Sequence, residues 1–98
     1  MPKKTPTKNG STAKVTFELR QVEAEAVHVV GDFNGWSTSD TPLAKRKDGR
    51  FSTTLTLSAG KEYRYRYVLD GQHWTNDADA DRYEPNEHGS EDGVLDLR

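Results

Sequence analysis

The alternation of apolar and polar residues along several short segments is the feature that most constrains the fold. In the segment 14–20, Val15, Phe17 and Leu19 alternate with charged or hydroxyl side chains. A period of two places such apolar side chains on one face of a β-strand. No segment carries apolar residues at positions i, i+3, i+4 and i+7 over three turns, so the sequence predicts no amphipathic helix.

Seven segments have the length and composition of strands, and turn-forming residues separate them. They are 14–20, 26–31, 43–47, 50–57, 61–69, 72–75 and 94–97. Asp48 with Gly49, and Asp70 with Gly71, are two-residue hairpin signals, because both residue types tolerate the positive φ angles of a tight turn. About seven short strands separated by turns predict an all-β, antiparallel sandwich.

The apolar faces of these strands supply the predicted core. Its members are Val15, Phe17, Leu19, Val27, Val29, Phe51, Leu55, Leu57, Tyr63, Tyr65, Tyr67, Leu69, Val94 or Leu95, and Leu97. Residues 1–13 carry prolines and lysines but no large apolar residue after Met1, so we predict a flexible basic tail there. Residues 14–98 form a single predicted domain, within which the acidic segment 76–92 is a predicted loop.

Charge and composition exclude several classes of function. Residues 1–20 carry five basic and one acidic side chain, whereas residues 76–98 carry eight acidic and two basic ones. A nucleic-acid-binding domain needs a contiguous basic face, so we predict no nucleic-acid partner. No apolar stretch approaches the ~20 residues that span a bilayer, and none follows Met1 as a secretion signal. We therefore expect a cytoplasmic protein with no membrane partner.

The residues offer neither a catalytic constellation nor a metal site. Ser37 and the three histidines lack the nucleophile elbow and the base spacing of a hydrolase, so we predict that the chain is not an enzyme. The acids at positions 77, 79 and 81 match the start of a calcium loop, and the chain has no cysteine. Arg82 occupies the position that requires glycine, and His88 the position that requires glutamate. We predict no metal and no cofactor.

Two tryptophans are not needed by the predicted core. Trp36 follows the turn Asn34-Gly35, and Trp74 lies between the second hairpin turn and the acidic segment. Taken singly, each indole could equally well pack against the edge of the domain. Together with Arg66, on the outer face of the strand between them, they favour a sugar-binding site. The C–H faces of a sugar stack on aromatic rings, and its hydroxyls bond charged or amide groups.

Three segments also carry the motifs of a known family. They are VHVVGDFNGWS (27–37), YRYRYVLDGQHWTND (63–77) and HGSEDGVLDL (88–97). From about Val22 onward, the chain resembles the family 48 carbohydrate-binding modules, which occur at the N-terminus of isoamylases and glycogen branching enzymes and in the AMP-activated kinase β subunit. The resemblance implies an early-set, immunoglobulin-like sandwich. It also implies a non-catalytic module that binds α-1,4-linked glucan, such as glycogen or a maltooligosaccharide.

The resemblance assigns five residues to the carbohydrate site. Trp36 and Trp74 match the two tryptophans that cradle the glucan. Arg66 stands where glycogen-binding members carry a lysine that bonds sugar hydroxyls, and arginine keeps that charge on a planar fork. Asp92 replaces an asparagine that contacts glucose and keeps only its acceptors. His88 replaces a leucine or phenylalanine that presses on the sugar, and a neutral imidazole can still stack.

A second interpretation stays open. The departures at His88 and Asp92, together with the charged N-terminal segment, favour an early-set protein-interaction module without sugar binding. Such a module would dock on a glucan-metabolising enzyme or a kinase-type partner. A fibronectin-like adhesion domain is disfavoured because no secretion signal is present.

Overall fold

The described residues form nine antiparallel strands. The fold is given by a computed structural model that describes residues 3–7, 10–20, 22–77, 80–87 and 89–98. The strands are β1 (Lys3–Pro6), β2 (Thr12–Leu19), β3 (Val27–Gly31), β4 (Pro42–Lys45), β5 (Phe51–Ser58), β6 (Glu62–Leu69), β7 (His73–Thr75), β8 (Arg82–Pro85) and β9 (Glu91–Asp96). One turn of 3₁₀ helix, Asp32–Asn34, follows β3. Among the described residues, no helix is long and apolar enough to cross a membrane.

The strands form two sheets that meet at β4. The first sheet has the order β1-β2-β5-β4, and the second continues from β4 through β3 to β6. Both β7 and β9 pair with the remaining edge of β6, and β8 pairs with β9. The first half of β4 pairs with β3 and its second half pairs with β5, so this strand passes from one sheet to the other. The predicted all-β, antiparallel, immunoglobulin-like sandwich is confirmed.

The core between the sheets contains the apolar faces that the alternation predicted. Its buried members include Val15, Phe17, Val27, Val29, Phe51, Tyr63, Tyr65, Tyr67 and Leu95. The leucines at positions 19, 55, 57, 69 and 97 are partly buried against this cluster. Phe17 contacts both Tyr65 and Phe33, with ring centroids 5.3 and 5.4 Å apart. Because Phe33 belongs to the 3₁₀ turn, this packing fixes the loop after β3 to the core.

The outer face of the second sheet also contains buried apolar residues. Val30, Val68 and Val94 alternate along their strands with core residues, so they face away from the core, yet at most 1% of each is exposed. Trp74 lies opposite Val68 in the pairing of β6 with β7. This face is therefore partly covered by side chains rather than being a plain solvated surface.

The N-terminal segment differs from the predicted flexible tail. Lys3–Pro6 forms β1, which pairs with β2, and β2 itself already begins at Thr12. The Lys4 ammonium donates to the Asp81 carboxylate at 2.5 Å, in a partly buried contact that reaches the other sheet. Composition indicates that this segment buries little apolar surface. It cannot show that the edge of β2 offers backbone hydrogen bonds to a further strand. Residues 1, 2, 8 and 9 of the predicted tail lie outside the described residues.

The acidic segment 76–92 also differs from prediction, because it contains a strand. Arg82–Pro85 forms β8, and β9 begins at Glu91 rather than at Val94. The Arg82 guanidinium bonds the carboxylates of Glu62 and Glu84, which raise the pKa of Arg82. The pair with Glu62 connects this edge strand to β6, and the strand is too polar for its alternation to stand out in the sequence.

These exposed ion pairs predict a loss of stability in acid. The hydrogen bond from Arg82 lowers the pKa of Glu62, and that from Arg98 lowers the pKa of Asp96 to about 2. A carboxyl whose pKa is lower in the folded state stabilises the fold above its unfolded pKa, so this contribution is lost as the pH falls toward 2. We expect the melting temperature to fall from pH 5 to pH 2, and to fall less in Arg82→Gln. Equal acid sensitivity of both proteins would show that the Arg82 pairs contribute nothing.

Candidate functional site

A cavity of about 780 Å³ on the outer face of the second sheet contains four of the five residues that the sequence assigns to a sugar site. It is lined by Asp32, Trp36, Arg64, Arg66, Trp74, Pro85, Asn86, Glu87 and Asp92. The structure thus places Trp36, Arg66, Trp74 and Asp92 around one space. The fifth residue, His88, lies outside the described residues.

The loop that presents Trp36 begins at Gly31, where two strands approach closely. A Cβ atom at this position would overlap the carbonyl oxygen of Arg64 and would lie 2.9 Å from both the Cβ of Tyr65 and the ring of Phe33. Only glycine fits without moving β6, because two of these three contacts are to atoms of that strand. Gly31 therefore lets the chain leave β3 directly beside the strand that carries Arg64 and Arg66.

Asn34 holds the loop in shape through its side-chain amide. Its oxygen accepts a hydrogen bond from the Gly31 N–H at 3.1 Å, and its nitrogen donates to the Val29 carbonyl and the Thr41 hydroxyl, both at 3.0 Å. Gly35 then has a φ angle of 66° and Trp36 one of 60°. A positive φ is unfavourable for tryptophan, so surrounding contacts must hold this conformation.

Asp32 supplies one of those contacts. One carboxylate oxygen accepts a hydrogen bond from the indole N–H of Trp36 at 3.0 Å, and the other accepts from the backbone N–H of Arg64 at 2.8 Å. This pair of bonds ties the Trp36 ring to β6. Because the indole has a single donor, Trp36 offers its ring face to a ligand rather than its N–H group.

Asp32 is accordingly expected to act as a positioning residue for Trp36. Asp32→Ala leaves the indole N–H and the Arg64 N–H without this acceptor, so we expect ligand affinity to fall about fivefold or more and stability to fall by ~1 kcal/mol. The measurement is a binding titration beside a thermal melt. Asp40→Ala removes an exposed acid of the same loop, outside the cavity, and serves as the control. Equal affinity of the two variants would contradict the role of Asp32.

The second tryptophan is presented by a tight hairpin. Asp70 and Gly71 have φ angles of 51° and 71°, as a two-residue turn with two left-handed positions requires. The Asp70 carboxylate accepts hydrogen bonds from the backbone N–H groups of Glu25 and Ala26, at 2.9 and 3.0 Å. The turn is thereby fixed to the chain before β3. On β7, Trp74 is 41% exposed, so its ring is open to a ligand.

Arg66 lies beside this ring and keeps its hydrogen-bonding capacity. Its guanidinium carbon is 5.9 Å from the centroid of the Trp74 ring. Among the described residues, Arg66 forms no ion pair, and its buried Nε has no hydrogen-bond partner. Arg64 differs, because it bonds Asp92 at 3.3 Å and Glu84 at 3.7 Å. Arg66 is therefore the guanidinium in the cavity that is available to a ligand.

Asp92 lines the cavity, but the protein already uses its carboxylate. Asp92 is 6% exposed and accepts hydrogen bonds from Arg64 at 3.3 Å and from the Asn86 amide at 3.1 Å. These bonds hold the turn that begins at Asn86 against β6. A direct contact of Asp92 with sugar stays a prediction, and a sugar hydroxyl would have to share the carboxylate with these two partners.

Sequence reasoning missed Asp32, Arg64 and Asn86 as residues of the site. Asp32 belongs to the same GDFNGW motif as Trp36, so the sequence could have indicated that the two residues act together. The bond from the indole to Asp32, however, depends on the left-handed turn at Gly35 and Trp36. Alternation along β6 places Arg64 on the same face as Arg66, so the sequence could also have indicated that Arg64 lies near the site. Asn86 joins the site only because the turn after β8 folds back toward Asp92.

Two of the three acidic residues that match the start of a calcium loop, Asp77 and Asp81, have structural partners. Among the described residues, no group of three His, Asp or Glu side chains is placed to hold a metal ion. Asp77 accepts hydrogen bonds from the hydroxyls of Tyr65 and Tyr67, at 2.9 and 3.4 Å. Burial raises the pKa of both tyrosines, so the hydroxyls stay protonated and donate. Asp81 bonds Lys4, and Asp79 lies outside the described residues.

The β-sandwich thus places two tryptophans and Arg66 around one open cavity. A family profile described as the glycogen recognition site of AMP-activated protein kinase matches residues 13–98. The chain belongs to this family, which is non-catalytic and binds glucan. The family resemblance predicted from the motifs is confirmed. Strand β1 lies outside the matched segment.

Curated relatives are proteins of glucan metabolism. The chain is 34% identical, over 85 residues, to the chloroplastic phosphoglucan phosphatase LSF1 of Arabidopsis thaliana, a match that covers 86% of this chain and 14% of that protein. It is 30% identical over 66 residues to the 1,4-alpha-glucan branching enzyme GlgB of Aquifex aeolicus, a match that covers 64% of this chain and 10% of that enzyme. It is 34% identical over 65 residues to the 1,4-alpha-glucan branching enzyme GlgB 2 of Xanthomonas campestris, a match that covers 64% of this chain and 9% of that enzyme. The chain therefore spans a small part of each relative's length.

Proposed function

We propose that the chain binds an α-1,4-linked glucan, such as glycogen or a maltooligosaccharide, in the cavity between Trp36 and Trp74. The observation that carries this proposal is that both indoles and Arg66 line a single cavity. Membership of a glycogen-recognition family supports the same ligand class. The cavity is open to solvent, and the module contributes binding rather than catalysis.

The binding mode follows from the hydrogen bonds that each residue still has available. Trp36 stacks on a glucosyl ring through its face, because Asp32 occupies its N–H group. Trp74 contributes its face and also its N–H group, which has no partner among the described residues. Arg66 donates to sugar hydroxyls. The two loops are already held by internal hydrogen bonds, so little conformational entropy is lost when the ligand binds.

The weaker alternative is a docking module for a glucan-metabolising enzyme. It is favoured by the engagement of Asp92 with Arg64 and Asn86, which reduces the polar groups left for sugar. The relatives' names, which include a phosphatase and branching enzymes, support an association with such enzymes.

We also propose that the protein is located in the cytoplasm.

Affinity electrophoresis tests the proposed function. We expect the protein to be retarded in gels that contain glycogen, and maltoheptaose in the gel to reverse the retardation. A parallel gel with dextran, an α-1,6-linked glucan, tests the linkage, and the protein should migrate freely there. Unchanged mobility in glycogen, together with recovery of one stable partner in a pull-down, would overturn glucan binding and select the docking module.

A further inference from the structure

A second groove, of about 550 Å³, lies around the edge of the second sheet from the tryptophan cavity. Its lining comes from three stretches: Thr75 to Asp77 after β7, Tyr83 of β8, and Gly89 to Glu91 at the start of β9. None of these residues lines the first cavity. We call this space the edge groove.

The edge groove presents the second exposed aromatic ring of the domain. Among the described residues, two large hydrophobic side chains are exposed, Trp74 at 41% and Tyr83 at 39%. Each of them lines a different one of the two spaces. The Tyr83 hydroxyl donates to the backbone carbonyl of Asp77, which fixes the orientation of the ring while its face stays open. An oriented, exposed ring is the element that stacks on a sugar.

Polar and acidic residues lie around the Tyr83 ring, and the sign of their charge decides which class of ligand fits. The Asn76 amide nitrogen donates to the Glu91 carbonyl at 2.7 Å, whereas its buried oxygen has no partner among the described residues. An unsatisfied acceptor of this kind is relieved when a hydroxyl reaches it. Among the described residues, the lining includes the acidic residues Asp77 and Glu91 but no lysine or arginine. The groove therefore suits a neutral polyhydroxyl ligand and disfavours a phosphorylated one.

The turn after β8 forms a common wall between the two spaces. Asn86 and Glu87 line the tryptophan cavity, while Gly89 and Ser90 line the edge groove. The turn is held by a hydrogen bond from the Asn86 N–H to the Ser90 carbonyl at 2.9 Å and by one from the Ser90 N–H to the Asn86 side chain at 3.2 Å. The two spaces therefore share residues of one turn as neighbouring walls.

We propose that the edge groove is a second glycosyl subsite, in which Tyr83 stacks on a sugar unit of a chain already bound between the tryptophans. The inference rests on the proposed glucan binding and extends it to a preference for longer chains. Short oligosaccharides fill the tryptophan cavity alone, whereas longer ones also contact Tyr83, Asn76 and Ser90.

The test compares maltotriose with maltodecaose by calorimetric titration. We expect the wild-type protein to bind maltodecaose more tightly, and Tyr83→Ala to lower that affinity about three- to tenfold, the contribution of one aromatic contact, while maltotriose affinity is unchanged. Tyr83→Phe keeps the ring and should keep the long-chain affinity. Maltotriose binding in every variant shows that the first cavity works independently of the outcome at Tyr83.

The subsite would be overturned if Tyr83→Ala left both affinities unchanged or lowered both equally. It would also be overturned if the wild-type protein bound both sugars equally. Should Tyr83→Ala fail to fold, amide NMR of the wild type decides the question. The signals of Asp77 and Tyr83, which line only the edge groove, should then move with maltodecaose and not with maltotriose, and identical shifts with both sugars would contradict the proposal.

Discussion

Trp74→Ala is expected to abolish measurable glucan binding while the domain stays folded. Trp74 is the large hydrophobic side chain that the described part of the cavity exposes, and the Arg66 guanidinium lies over its ring. Removing the ring eliminates one stacking face and frees the guanidinium to move. A central aromatic contact of this kind is worth ~2 kcal/mol or more, which corresponds to roughly a 30-fold loss of affinity. The measurement is quenching of tryptophan fluorescence by maltoheptaose, supported by calorimetry.

The control for this variant is His73→Ala on the same strand. His73 is exposed and does not line the cavity, so its removal should leave affinity and melting temperature close to the wild-type values. Trp74→Phe keeps a smaller ring and should give an intermediate affinity. Retention of wild-type affinity in Trp74→Ala, at an unchanged melting temperature, would remove Trp74 from the site.

Gly31→Ala is expected to cause a large loss of stability. The added methyl group would overlap the Arg64 carbonyl and press on the Tyr65 side chain, both on β6. Relief requires β3 and β6 to separate where Gly31 pairs with Tyr65. Overpacking against a central strand costs about 3 kcal/mol, which lowers the melting temperature of a domain of this size by roughly 15 °C.

The matched control is Gly49→Ala in the hairpin between β4 and β5. Gly49 has a positive φ of 89°, and no atom lies within 4 Å of an added Cβ. Backbone strain alone should therefore cost ~1 kcal/mol. Thermal and urea melts of both variants give the comparison. A loss at Gly31 no larger than that at Gly49 would show that the close approach of the strands is not the constraint.

Local patterns were sufficient to predict the sandwich and several of the residues that line the candidate cavity. The row of tyrosines in β6 alternates with arginines, and this period of two buries the tyrosines and turns Arg66 outward. The turns before Trp36 and Trp74 depend on Asn, Asp and Gly, whose backbone preferences are visible in the sequence. The two indoles and Arg66 could be inferred as neighbours because they lie on or beside the same strands.

The features that could not be predicted depend on contacts between distant segments. Strand β1 is stabilised by pairing with β2 and by the bond from Lys4 to Asp81, and neither contact has a signature within residues 1–13. Strand β8 is too polar to stand out in the sequence, and it is stabilised by the pairing of Arg82 with Glu62 of β6. The engagement of Asp92 by Arg64 likewise arises only once β6 and β9 are adjacent.

The most direct measurement is a two-dimensional NMR titration that follows the indole N–H signals. The chain has two tryptophans, so two such signals are expected, and Trp36→Phe assigns them. If a single glucan chain lies across both rings, both signals move on addition of maltoheptaose and fit one dissociation constant. A signal that stays in place at saturation, or two signals that give different constants, would contradict the shared site.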